Sequence, residues 1–80
     1  MRTFAAVARD IRDDYRARGK DIPYAAAPYL KALLEMETTD RKANYGYDSV
    51  QGVVRYLLSN LSGYRGEKAK ALKAELKSMI

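Results

Sequence analysis

Apolar residues recur with helical spacing in four segments of this chain, and no segment alternates in the way a strand would. The first segment predicts a helix over 4–18. Thr3 precedes it as a cap, and Gly19 follows at the position that favours a positive φ. Its apolar face has i, i+3, i+4, i+7 spacing: Phe4, Val7, Ala8, Ile11 and Tyr15.

A second helix is predicted over 25–37, with Pro28 in its first turn. A proline costs little there because its missing N–H would be unpaired in any case. The buried face of this helix comprises Ala26, Tyr29, Leu30, Leu33 and Leu34. Residues 38–47 then form a polar loop in which Gly46 separates two tyrosines.

A third helix is predicted over 49–60, opened by Asp48 and Gln51 as a variant capping box. It has a wide apolar arc: Val50, Val53, Val54, Leu57, Leu58 and Leu61. A small chain with such an arc gains stability by dimerising, so a homo-oligomer is one expectation. A fourth helix over 64–79 has core positions Ala69, Leu72, Leu76 and Met79. The sequence therefore predicts an all-α fold, a compact bundle of about four helices in a single domain, residues 1–80.

Tyrosine dominates the aromatic residues, with seven tyrosines, one phenylalanine and no tryptophan. We expect Tyr15, Tyr29 and Tyr56 to bury their rings and keep the hydroxyl at the rim of the core. Tyr45 and Tyr47 have two interpretations. They either plug the packing below the loop or form an exposed aromatic pair for a protein interface or for base stacking.

Histidine and cysteine are both absent, which limits the available chemistry. Without them the chain has neither a disulfide framework nor the commonest zinc ligands and general base. The carboxylates of Asp13 and Asp14 lie beside Arg16 and Arg18, the pattern of a solvated helix surface. We therefore predict no catalytic residues, no metal, no cofactor and no enzymatic activity. No stretch approaches the roughly 18 apolar residues of a membrane span or forms a signal-peptide core, which favours a cytoplasmic protein without a membrane partner.

The net charge of +5 is unevenly distributed. Basic residues outnumber acidic ones in 1–20 and in 49–80, whereas acidic residues prevail in 21–48. Two basic stripes have i, i+3, i+7 spacing: Arg9, Arg12 and Arg16 on the first helix, and Lys70, Lys73 and Lys77 on the fourth. If these helices are neighbours, the stripes could merge into one positive surface. Three interpretations remain open: basic side chains snorkelling over the core, a nucleic-acid or phosphate surface, and a surface for an acidic protein partner.

A GxxG turn, Gly63-Tyr64-Arg65-Gly66, precedes the fourth helix, with Lys68 shortly after it. In KH domains such a turn joins two helices and approaches nucleotides, but that fold needs a three-stranded sheet. We therefore favour a tight interhelical turn at Gly63, with Gly66 in the first turn of the helix. A helix-turn-helix built from the third and fourth helices fits better, and its lysines suit phosphates more than base edges.

Residues 45–77 resemble short open reading frames of bacterial phages and mobile elements. The matching features are Tyr45-Gly46, Asp48-Ser49, Tyr56, Ser59-Asn60, Arg65-Gly66-Glu67, Ala69 and Glu75-Leu76. The resemblance implies a compact helical fold in a bacterial host. It also raises the expectation of an accessory or inhibitor protein that binds a host complex, anti-CRISPR proteins included.

The leading hypothesis is a non-enzymatic phage or mobile-element accessory protein that binds a macromolecular partner. That partner is a host protein complex, such as a defence complex, or a nucleic acid. The alternative is a sequence-independent nucleic-acid-binding domain of helix-turn-helix style. Candidate contact residues are Arg9, Arg12, Arg16, Arg65, Lys68, Lys70, Lys73 and Lys77, with Tyr45 and Tyr47 as interface aromatics.

Overall fold

In a computed structural model of the chain, which describes residues 1–46 and 48–80, the first helix is α1 (Phe4–Ala17). The Thr3 hydroxyl accepts a hydrogen bond from the Ala6 N–H at 3.1 Å and caps the helix. Gly19 has a φ of 66°, so the chain leaves the helix through the left-handed region. The predicted start of this helix is confirmed, and it ends one residue before the predicted Arg18, which is the C-cap residue.

The second helix, α2 (Ala27–Leu34), is shorter than the predicted 25–37. Pro28 lies in its first turn as expected, but 24–26 form a separate turn closed by the Pro23 carbonyl. At the other end, the carbonyls of Met36 and Thr38 accept hydrogen bonds from the Ala5 and Phe4 N–H groups. The chain leaves α2 early because these carbonyls pair with the free N–H groups at the start of α1.

The predicted loop 38–47 contains a short strand that the sequence pattern does not indicate. β1 (Asn44–Tyr45) pairs antiparallel with β2 (Asp48–Ser49). Gly46, with a φ of 65°, follows β1. Two residues per strand are too few to alter the all-α class, but the pairing fixes the direction in which the chain enters the next helix.

The third helix, α3 (Val50–Ser59), is capped by Ser49 rather than by the predicted Asp48. The Ser49 hydroxyl accepts a hydrogen bond from the Gly52 N–H at 3.1 Å. Asp48 lies in β2 opposite Tyr45, one residue too early to cap the helix.

The fourth helix, α4 (Glu67–Ser78), begins three residues later than the predicted 64–79. Gly66 has a φ of 110° and is the N-cap residue, so it does not lie within the first turn as predicted. A residue with that backbone conformation cannot continue a right-handed helix backwards, and the helix therefore excludes Tyr64.

Within residues 1–46 and 48–80, these four helices surround one core. α1 packs against both α2 and α4, and α3 packs against α2. The largest fully buried side chains are Tyr64, Phe4, Ile11, Leu30, Leu33, Leu57, Leu61, Leu76, Val7, Val50 and Val54. Val50, Val54 and Leu57 belong to the apolar arc of α3, so most of the arc that favours dimerisation is covered by the chain itself.

The molecule is as compact as a typical folded domain of its length. Its radius of gyration is 11.5 Å, against about 11.6 Å expected for a folded domain of this size. None of the helices in the described ranges is long and apolar enough to cross a membrane.

Candidate functional site

Residues 60–66, which connect α3 to α4, are held in place by a buried tyrosine. The Tyr64 side chain is 1% exposed, and its hydroxyl donates a hydrogen bond to Asp14 Oδ2 at 2.6 Å. Its ring stacks on that of Tyr15 with centroids 4.8 Å apart. The connection is therefore anchored to α1, and helical periodicity does not predict this anchor because it assigns Tyr64 to the fourth helix.

Arg18 closes the same cluster from the end of α1. Its guanidinium lies 3.0 Å from Asp14 Oδ2, donates to the Arg65 carbonyl at 2.6 Å, and lies 4.9 Å from the centre of the Tyr64 ring. This guanidinium also lies 3.2 Å from where a Cβ on Gly66 would project. Arg18 thus holds the backbone immediately before the start of α4.

The electrostatics of this cluster favour one protonation state. The hydrogen bond from Tyr64, supported by Arg18, lowers the pKa of Asp14 below its ordinary value of 3.8. Burial, together with the hydrogen bond to Asp14, raises the pKa of Tyr64 above its ordinary 10. The pair is therefore a carboxylate and a neutral phenol at neutral pH, engaged with each other and with Arg18, which is the arrangement of a structural contact.

Lys73 holds the connection from the side of α4. Its ammonium donates to the Leu61 carbonyl at 3.0 Å and to the Tyr64 carbonyl, and it lies 5.9 Å from the centre of the Tyr64 ring. Two of its three donors are thus committed to backbone carbonyls. Of the predicted contact residues, Lys73 has the clearest structural task.

An open groove of about 490 Å³ lies where the connection meets α4. We call it the basic groove, and it is lined by Tyr64, Arg65, Gly66, Glu67, Lys70 and Lys73. Because Gly66 has no side chain, no side-chain cap covers the first N–H groups of α4. Glu67 is the one carboxylate in the lining, against three cations.

The exposed lysines of α4 lack acidic partners in the part of the chain that the structure describes. Lys68, Lys70 and Lys77 are exposed, and none has a carboxylate oxygen within 4.0 Å among residues 1–46 and 48–80. The positive charge of Lys68 nevertheless helps to lower the pKa of Asp14. The flank that carries Lys70 and Lys77 therefore keeps its positive charge.

The arginine stripe of α1 differs, because acidic side chains accompany it. Arg9 pairs with Glu37 at 2.7 Å, and the Arg9 hydrogen bond lowers the pKa of that carboxyl. Arg12 and Arg16 lie 3.2 and 4.0 Å from the same Asp13 carboxylate oxygen. Much of the positive charge of this stripe is offset locally.

The two basic stripes contact different parts of the chain, although α1 and α4 are neighbours. Arg2 pairs with both Asp10 of α1 and Glu75 of α4, and its hydrogen bond lowers the pKa of Glu75. The flanks that face each other therefore carry acidic residues. Arg9 instead faces Glu37, beyond the end of α2, and Lys73 faces the connection after α3.

The connection between α3 and α4 differs from that of a helix-turn-helix. The connection between α3 and α4 has seven residues, 60–66, longer than the three- or four-residue turn of a helix-turn-helix. α4 also contacts α1 more extensively than it contacts α3.

Of the predicted interface aromatics, Tyr47 lies outside the described residues and Tyr45 is described by its backbone alone, so their role stays a prediction.

The tyrosine predictions are partly wrong. Tyr15 is buried as expected and Tyr29 is half-buried, but Tyr56 is 53% exposed. Tyr56 lies on the polar side of α3, where its ring stacks on Tyr29 at 5.3 Å. Tyr24, in the turn that precedes α2, is 97% exposed.

Metal ligands do not converge in the described ranges, where no three acidic side chains form a group that could hold an ion. The sequence matches no family model, and neither curated proteins nor solved structures show significant similarity to it. The basic groove and its charges are therefore the features of the molecule that bear on function.

Proposed function

We propose that this protein is a non-enzymatic binding protein that engages an anionic macromolecule through the basic groove and the adjoining lysine flank of α4. The observation that carries this proposal is the difference between the two stripes. Lys70 and Lys77 are exposed without acidic partners among the described residues, whereas Arg9 and Arg12 are paired with carboxylates. Uncompensated, clustered positive charge attracts and steers an anionic partner.

A binding role also suits the titratable groups. Asp14 and Tyr64 are the buried polar pair with clearly shifted pKa values, but they face Arg18 inside the fold. Lys73 is engaged with backbone carbonyls. These groups keep the groove in shape, and the exposed cations that remain are suited to contact a partner.

The partner class that agrees with the resemblance is an acidic surface on a host protein complex. In this reading the chain is an accessory protein of a phage or mobile element and inhibits a host defence system such as CRISPR. A rigid connection anchored by Tyr64 would present Arg65 and Lys70 in fixed positions, which lowers the entropic cost of binding.

Nucleic acid is the second candidate, and one observation favours it. Lys70 and Lys77 lie along one flank of a single helix, so their ammonium groups can follow a row of phosphates. Lysine is a flexible point charge with no forked geometry for base edges, so such binding would be independent of sequence. The long connection argues against a helix-turn-helix mode of docking.

Fluorescence anisotropy with labelled single-stranded DNA, duplex DNA, RNA and polyglutamate tests the proposal at about 50 and 200 mM salt. The test variant is Lys70→Glu/Lys77→Glu. Arg12→Glu/Arg16→Glu is the matched control, because it changes the net charge equally on the other stripe. Circular dichroism verifies that both variants fold.

We expect the wild type to bind at least one of these polyanions and the lysine variant to lose that binding, while the arginine variant retains most of it. If three phosphates are contacted, affinity falls about 20- to 40-fold between the two salt concentrations. Equal losses in both variants would mean that net charge alone drives binding. Failure to bind any polyanion would contradict the proposal.

A further inference from the structure

A second cleft is lined by uncharged residues that include two tyrosines. We call this cleft of about 530 Å³ the aromatic cleft, and it is lined by Tyr24, Ala25, Ala27, Pro28, Tyr29 and Asn60. Tyr24 is 97% exposed, and the 53% exposed ring of Tyr56 stacks on Tyr29. Exposed aromatic rings grouped around a cleft indicate a binding surface.

Residues of the 60–66 connection line both the aromatic cleft and the basic groove. Asn60 lines the cleft and Tyr64 lines the groove. The Tyr64 N–H donates to the Leu61 carbonyl at 3.0 Å and closes a tight turn, which keeps the Cα atoms of Asn60 and Tyr64 within about 11 Å of each other. The Lys73 ammonium, 3.0 Å from that same carbonyl oxygen, adds positive charge at the junction.

We propose that the two surfaces together bind single-stranded nucleic acid. Bases stack on Tyr24 and on the exposed ring of Tyr56, and phosphates follow the basic groove past Arg65 and Lys70. This inference rests on the proposed function and names its partner class. The chemistry is complementary in both parts, because bases need an uncharged aromatic surface and phosphates need cations.

A preference for single strands follows from the position of the rings. The bases of a duplex are already stacked on one another, so their faces are not available to stack on Tyr24 and Tyr56. The faces of unpaired bases are free, and because every base has such a face, stacking tolerates any sequence. The lysines contribute phosphate contacts that are equally independent of sequence.

The test compares three labelled oligonucleotides by anisotropy: a ten-nucleotide single strand, the same strand with internal abasic sites, and the matching duplex. The abasic strand keeps every phosphate and removes the stacking partners. The variants are Tyr24→Ala and Tyr24→Ala/Tyr56→Ala. The matched control Tyr24→Phe/Tyr56→Phe keeps the rings, and Lys70→Glu/Lys77→Glu tests the groove. Tyr24→Ala removes a 97% exposed ring, so its effect does not depend on folding.

We expect the wild type to bind the normal strand at least about tenfold more tightly than the abasic strand or the duplex. Tyr24→Ala should reduce that affinity about tenfold, and the double alanine variant about 10- to 100-fold, whereas the phenylalanine variant should bind like the wild type. Binding of the abasic strand should not change in any tyrosine variant.

Two results would overturn the inference in distinguishable ways. Equal affinity for normal and abasic strands, unaffected by the alanine substitutions but lost in the lysine variant, would remove the stacking role and leave the proposed function intact. Failure of the wild type to bind any oligonucleotide would exclude nucleic acid altogether, and binding of polyglutamate would then identify an acidic protein as the partner.

Discussion

At the scale of single residues, Tyr64 is the contact on which the candidate site depends. Its hydroxyl reaches Asp14 of α1, its ring stacks on Tyr15, and its carbonyl accepts from Lys73 of α4. Losing one partner of a buried hydrogen bond to a charged group leaves the other partly unsatisfied. Removing the hydroxyl oxygen of Tyr64 alone should therefore destabilise the site.

Tyr64→Phe should lower the free energy of unfolding at pH 7 by about 1.5–3 kcal/mol, the usual contribution of a hydrogen bond to a charged group. The control Tyr15→Phe should cost much less, because the Tyr15 hydroxyl makes no hydrogen bond within the described residues. Urea unfolding followed by circular dichroism measures both. Equal losses in the two variants would contradict the role assigned to the Tyr64–Asp14 bond.

The same variant should change the dependence of stability on pH. The folded-state pKa of Asp14 lies below 3.8, so its contribution is present above that pH and is lost as pH falls through the folded value. Tyr64 has a raised pKa, so its contribution is present below pH 10 and is lost as pH rises through the folded value. The difference in the free energy of unfolding between the wild type and Tyr64→Phe should therefore become smaller at both low and high pH.

The residues that sequence patterns fail to predict are those whose partners are distant along the chain. Periodicity continues the fourth helix back to Tyr64, whereas Gly66 adopts a φ of 110° beside Arg18, 48 positions earlier. A helical pattern describes neighbours one turn away, and it contains no information on contacts between α1 and the connection. The basic residues of α4 were predictable because they follow from local spacing.

At the scale of elements, the helices agree with the sequence in number, order and burial, while their ends are set by other segments. α2 ends early because residues 36 and 38 pair with the start of α1. α3 begins at Val50 because the β1–β2 pairing places Ser49, and not Asp48, at the cap. Local propensity selects a helix, and tertiary hydrogen bonds select its first and last residues.

Ser49→Ala should therefore lower the free energy of unfolding by about 1 kcal/mol, the usual cost of losing an N-cap side chain. Asp48→Ala is the matched control. It removes the cap predicted from the sequence but not the Ser49–Gly52 bond, so it should cost less than half as much. Thermal or urea unfolding of both variants makes the comparison. A larger loss of stability in Asp48→Ala than in Ser49→Ala would contradict this assignment and support Asp48 as the cap of α3.

At the scale of the whole molecule, charge is distributed so that one flank remains positive. Acidic residues accompany the arginines of α1 and the interface between α1 and α4, whereas Lys70 and Lys77 face outwards. The total charge is evident from composition. The difference between the paired arginines of α1 and the lysines of α4, which are unpaired among the described residues, depends on which helices are in contact. Beside the start of the 60–66 connection, exposed tyrosines add a surface that charge alone does not explain.

An NMR titration of the isotopically labelled chain with a ten-nucleotide single strand would test the central claim most directly, because it locates the contact as well as detecting it. We predict that backbone amide shifts concentrate in residues 64–77 and around Tyr24 and Tyr56, while residues 9–16 of α1 hardly move. Shifts confined to the arginine stripe of α1 would contradict the assignment of the basic groove as the binding site, and no shifts at about 50 mM salt would exclude single-stranded nucleic acid as its partner.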